Sequence, residues 1–128
     1  MAKTAVVVDR EYLKHQPGDS HPERPERVKV LLDLAAELDA AKFHLLSPEP
    51  ARRADVEATH GGDYVRMIEA TRQHDSYALD GDTITCRDSF GVALLAVGGF
   101  LRLLDAIAAK EVQNGFALVR PPGHHALC

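Results

Sequence analysis

Two successive histidines, His124 and His125, are the side chains in this sequence best suited to chemistry. An imidazole titrates near neutrality, so each can take or give a proton, and neighbouring rings can hold different protonation states. They follow Arg120-Pro121-Pro122-Gly123, directly after the apolar run Phe116 to Val119, which reads as a short buried strand. Prolines fix φ and offer no N–H to a sheet ladder, so that strand ends at Arg120. Gly123 supplies backbone angles that other residues avoid, or room for another segment to approach. Such a loop lies beyond the carboxyl end of a strand, where open α/β sheets bind their ligands. The same types and spacing also suit two surface histidines on a loop. Adjacent residues point in different directions, so the pair alone does not make a bidentate metal site.

Other polar groups have a simpler reading. Asp80-Gly81-Asp82-Thr83 can present a carboxylate to a ligand, and a tight polar turn explains it equally well. His21-Pro22-Glu23-Arg24-Pro25-Glu26-Arg27 reads as a loop-to-helix junction with solvated charges. His60-Gly61-Gly62 reads as a helix-ending device. His15, His44 and His74 have no visible partners. Cys86 and Cys128 have no activating neighbour and make no disulfide framework, which favours reduced thiols and a cytoplasmic location.

The elements that must position these groups follow from periodicity. Thr4 to Val8 is a β-branched run expected as a buried strand. Glu11 to His21 is expected as a polar loop. Val28, Leu31, Leu32, Ala35 and Leu38 share one helical face, predicting an amphipathic helix from Pro25 that covers a face of a sheet. Phe43 to Leu46 reads as a second strand, closed by Ser47-Pro48-Glu49-Pro50. Ala51 to Thr59 and Asp63 to Arg72 read as short helices, and His74 to Arg87 as irregular. Asp88 or Ser89 can cap a long helix to about Lys110, apolar around most of its circumference. Gly98-Gly99 in its middle costs about 1 kcal/mol per glycine relative to alanine, so a close packing contact is expected there. The alternation of strands and helices predicts a parallel α/β sheet.

The chain has 128 residues, 45% of them hydrophobic, and a net charge of −4. One domain with a real core is expected, 1–128. No basic run tracks a phosphate backbone, so no nucleic-acid partner is expected. No apolar run reads as long enough to span a bilayer, and Met1-Ala2-Lys3-Thr4 lacks a signal-peptide hydrophobic region, so no membrane partner is expected.

Three stretches together carry a resemblance: His21 to Arg27, Ala93 to Gly99, and Phe116 to Ala126 with Arg-Pro-Pro-Gly-His-His-Ala. They resemble the histone deacetylase superfamily, especially class II deacetylases, bacterial histone deacetylase-like amidohydrolases and acetylpolyamine amidohydrolases. The resemblance implies the three-layer arginase/deacetylase-like α/β fold, here a truncated N-terminal portion with a short parallel sheet flanked by helices. It implies Zn²⁺-assisted hydrolysis of acetyl-lysine or acetylpolyamine amides. Carried over, His124 is the electrostatic member of the pair and His125 the general base. Asp82 orients substrate, with Asp80 competing for that role, Gly123 lies at the substrate, and Arg24 lines the internal cavity. The family's Asp-x-His and further Asp ligands and its transition-state tyrosine come later than the His-His loop. The resemblance therefore predicts no metal held by this chain alone and negligible deacetylation by it. Metal completion in trans is the alternative, with Asp9, Asp80, Asp82 and His21 as available ligand types, and a non-enzymatic assembly or binding module is another. Apolar surface left uncovered on the long helix and a sheet edge predicts a homo-oligomer or a separate covering chain.

Overall fold

The computed structural model describes residues 3–128. Its centre is a three-stranded parallel sheet of β1 (Thr4–Val7), β2 (Phe43–Leu46) and β5 (Asn114–Ala117), in the order β2-β1-β5. The first strand is therefore central, with Val6 registered between Leu45 and Phe116. This is the α/β class expected, a short parallel sheet flanked by helices.

The last strand begins two residues earlier than its apolar run suggests. Asn114 and Gly115 pair with Thr4 and Ala5, and the Leu118 N–H still donates to the Val7 carbonyl. Alternation then sorts the two faces of the sheet. Ala5, Val7 and Leu46 lie on one face, packed with Leu103 and Ala106 of α4 (Ser89–Ala108) and with Val112. Leu45 and Phe116 lie on the opposite face and are 53% and 67% exposed.

The 20-residue helix α4 sits on the sheet and explains its own glycines. A Cβ on Gly98 would lie 1.7 Å from the Glu49 carbonyl oxygen, and one on Gly99 would lie 2.7 Å from the Tyr12 hydroxyl. The segment after β2 thus rests directly on the helix, with the Ala51 N–H donating to the Leu94 carbonyl at 2.9 Å. The expected close contact is present. By length and mean hydropathy (1.9 over 18 residues) α4 is apolar enough to cross a membrane, which corrects the expectation that no run is long enough. In this fold it is the helix on which the core is built. It is not buried all round, because Val97, Phe100 and Leu104 form an exposed apolar stripe.

Three further elements differ from expectation. Arg10–Lys14, within the expected polar loop, is a 3₁₀ helix. Asp9 caps it by accepting from the Glu11 N–H, and Tyr12 points into the core with no exposed surface. The helix α1 (Glu26–Ala36) packs mainly on that 3₁₀ helix and contributes Val28 to a cluster with Tyr12, Val92 and Ala96, rather than covering a sheet face. The expected irregular stretch contains a two-stranded hairpin, β3 (Tyr77–Ala78) with β4 (Ile84–Thr85), whose turn carries Asp80 and Asp82. The short helix α2 (Arg53–Glu57) lies within its predicted limits, whereas α3 (Gly62–Ala70) starts one residue earlier than expected, taking in Gly62, and passes into a 3₁₀ turn at Thr71–Gln73.

Candidate active site

The histidine loop is rooted in Arg120, a cation only 2% exposed. A charge at that depth needs a full set of partners. Arg120 has them: its Nε and Nη2 donate to the two carboxylate oxygens of Glu23 at 2.9 and 2.8 Å. Its Nη1 donates to the carbonyls of Tyr12 and His15, both at 2.6 Å. The planar fork matches the carboxylate as a bidentate pair.

The network continues from Glu23. Its Oε2 lies 3.4 Å from His15 Nε2, and His15 Nδ1 lies 2.7 Å from the Ser89 hydroxyl. Ser89 in turn accepts from the Cys86 N–H at 2.8 Å. Burial, together with the Arg120 charge, pushes the His15 pKa down to about 4, against the opposing pull of Glu23. A neutral ring fits the contacts: Nε2–H faces the carboxylate, and Nδ1 accepts the Ser89 O–H. His15 is therefore not incidental. The reading of the 21–27 segment as solvated charges is corrected at Glu23, whose partner lies 97 residues away.

His21 performs a second anchoring task. Its Nδ1 accepts from the Glu23 N–H at 3.0 Å, which leaves Nε2–H to donate to the Asp82 carbonyl at 2.7 Å. Asp80 closes the same turn, accepting from the Asp82 N–H and from the Thr83 hydroxyl. Those bonds, the backbone donor first, hold the Asp80 carboxyl below the usual range. Asp80 is thus occupied within its own turn, while the Asp82 side chain faces outward to His125.

Beyond Arg120, a cis peptide leads to Pro121, and Gly123 sits at φ +77°, the conformation that glycine adopts at least cost. The Ala126 N–H then closes a turn onto the Gly123 carbonyl. His124 and His125 are exposed, their rings 4.4 Å apart between centroids and tilted by 46°. His125 Nε2 lies 3.7 Å from Asp82 Oδ2. His60, expected only to end a helix, donates from Nδ1 to the Leu127 carbonyl.

This arrangement suits acid–base chemistry. Each imidazole offers a ring nitrogen to an approaching group, and the Asp82 carboxylate lies within ion-pair distance of His125. Arg24 does not line a cavity within this chain: it is exposed and pairs with Glu26. The buried arginine is Arg120. The signal available in the sequence was a lone cation closing an apolar strand ahead of two prolines, a position that demands a buried acid.

No three His, Cys, Asp or Glu side chains converge as a metal ion requires among the described residues. His124, His125 and Asp82 do not by themselves fit a zinc ion, and Asp9 is engaged in its cap.

The histone deacetylase domain model matches residues 21–128. The chain belongs to this family. It is 40% identical over 126 residues to a probable deacetylase of Archaeoglobus fulgidus, covering 96% of this chain and 35% of that protein. It is 39% identical over 110 residues to the polyamine deacetylase HDAC10 of Homo sapiens, covering 80% of this chain and 16% of that one. The crystal structure of the HDA15 HD domain superposes with a TM-score of 0.86 at 31% identity, over 98% of this chain and 38% of that one. The deacetylase fold is therefore shared across nearly all of the chain. The chain spans little more than a third of the length of the archaeal relative and of the HDA15 domain.

Proposed function

We propose that this chain supplies the acid–base half of a zinc-dependent amidohydrolase site acting on acetylated amines. The observation that carries the reading is the tandem pair on the loop beyond β5, with His125 facing Asp82. His125 serves as the base that takes a proton from water and later returns it to the leaving amine. His124 is the electrostatic member of the pair beside it, and Asp82 and Gly123 face the substrate. Zinc, when present, would polarise the amide and activate the water. Because the described residues do not form its site, the 128-residue chain alone is expected to turn over acetyl-lysine peptides or acetylpolyamines negligibly. The matched relatives, a polyamine deacetylase and a histone deacetylase-like amidohydrolase of Pseudomonas aeruginosa, support acetylated amines as the substrate class.

The exposed stripe of Val97, Phe100 and Leu104 on α4 and, on the other side of the sheet, exposed Leu45 and Phe116 support a covering partner, either a second copy or a separate chain. A partner seated there could complete the metal site in trans. The test is elemental analysis after equilibration with zinc, with parallel assays on acetyl-lysine peptide and acetylspermidine. No retained zinc and no turnover is the expected result for a monomer. Stoichiometric zinc that is lost in H124A/H125A, in a species that light scattering shows to be an oligomer, would establish completion in trans. Zinc-dependent turnover by a monomer would overturn the proposal.

A further inference from the structure

The segment His21–Glu23 makes no hydrogen bond or ion pair with either imidazole of the tandem pair, yet it holds both pieces of the candidate site. His21 bonds the backbone of the Asp82 turn, and Glu23 chelates Arg120, the residue from which the histidine loop departs. We infer that Glu23 is a positioning residue, a clamp that acts through Arg120 to hold His124 and His125 against Asp82.

The other contacts of the loop lie at the surface. His125 to Asp82 is a 3.7 Å pair between side chains 43% and 65% exposed, and the His60 contact reaches only as far as Leu127. Such contacts exchange with water at little cost. The Arg120 guanidinium differs in kind. Four donated hydrogen bonds fix its plane, and two of them reach the 3₁₀ helix and its exit at Tyr12 and His15. With the plane fixed, the Arg120 backbone is fixed, and Pro121 and Pro122 pass that direction on because their φ cannot relax. On the far side, His15 and Ser89 hold the Glu23 carboxylate to the start of α4. The clamp thus ties the loop to the 3₁₀ helix, the α1 approach and α4 at once. Positioned groups of this sort need a rigid supporting layer behind them.

The inference deepens the acid–base reading and rests on it for its meaning, but its test reads geometry and so fails separately. Backbone order parameters for Gly123–Ala126, and ring-to-ring NOEs between His124 and His125, are measured by NMR on the labelled chain. Variants are E23Q, the paired E23M/R120M, and V65A as a control in a core position outside the clamp. E23Q leaves a buried guanidinium half-partnered and can unfold the chain, whereas E23M/R120M removes both charges together and retains the core. The expected result is order parameters falling from about 0.85 to below about 0.6 in the paired variant, with the ring NOEs lost, dispersed amide signals elsewhere and no change in V65A. A folded E23M/R120M with an unchanged loop would overturn the clamp. Loop disorder of equal size in V65A would overturn it too, since any loss of stability would then suffice. Absence of turnover in every form would bear on the deacetylase reading and leave this result intact.

Discussion

Two histidine-centred groups in this chain use similar parts to opposite ends. His15 is linked to a serine hydroxyl at one nitrogen and faces a carboxylate at the other, the connectivity of a nucleophilic triad. His125 has only a stacked neighbour and a carboxylate 3.7 Å away. By connectivity alone the first looks like the active site. Burial reverses that order. Ser89 is 4% exposed and no substrate reaches its oxygen, so the His15 chain is a strut. His125 stands in the open, where a substrate can meet it. Chemistry is assigned by access as much as by residue type, and the strut serves the open site by holding the loop's root.

Substitutions that strike the strut should separate the two groups most sharply. R120A leaves Glu23 buried without its partner and two carbonyls without their donor. It should cost about 3–5 kcal/mol, as expected for half of a buried pair, measured by urea denaturation. The E23M/R120M variant should recover the part of that loss that comes from the unpaired Glu23 charge, while the two carbonyls stay without a donor.

Acidity tests the same strut through His15. Its folded pKa, about 4, lies below the usual value of 6.5, so the folded state favours the neutral ring. The stabilisation is complete above pH 6.5 and is lost as pH falls towards 4, by about 3 kcal/mol in total. Wild type minus H15Q, melted in urea at steps between pH 7 and 4, should show this slope. A flat difference would mean that the ring titrates alike in the folded and unfolded chain, and the depressed value would be wrong.

Smaller still is S89A, which leaves the His15 Nδ1 and the Cys86 N–H without their hydroxyl, at about 1–2 kcal/mol. At the bottom of the scale are H125A and D82N. Exposed groups of this kind change stability by less than about 0.5 kcal/mol, while any turnover by a completed site should fall by about 100-fold or more for H125A. A stability loss in H125A matching that of R120A would erase the contrast between strut and site.

The parts readable in the sequence are those that depend on neighbours along the chain. β1, β2 and the long helix follow from apolar patterning, and the Pro-Pro-Gly-His-His loop from its own backbone rules. The Gly98-Gly99 contact was inferable as a need, though not its occupant. What escaped depends on distant residues meeting. Glu23 resembles any helix-start acid until Arg120 arrives beside it, and His15 reads as incidental until Ser89 does. Tyr12 sits in a polar stretch where no period marks it, and only the 3₁₀ turn swings it inward. Arg24 and Arg120 look alike in the sequence, and only tertiary burial separates them.

The strand order β2-β1-β5 has a consequence for how the protein is made. β1 and β2 can pair once the first 46 residues have left the ribosome, but one edge of β1 then waits for Asn114–Ala117. The hydroxyl of Thr4 meets Asn114 across 110 residues, and Arg120 docks onto carbonyls more than 100 residues back. Contacts of that separation are slow to close and leave an apolar edge open meanwhile. During translation the tandem histidines are therefore oriented only after Asn114–Ala117 and Arg120 have docked, and a nascent chain stalled before Asn114 would carry its helices with the site still unmade and one edge of β1 open to aggregation.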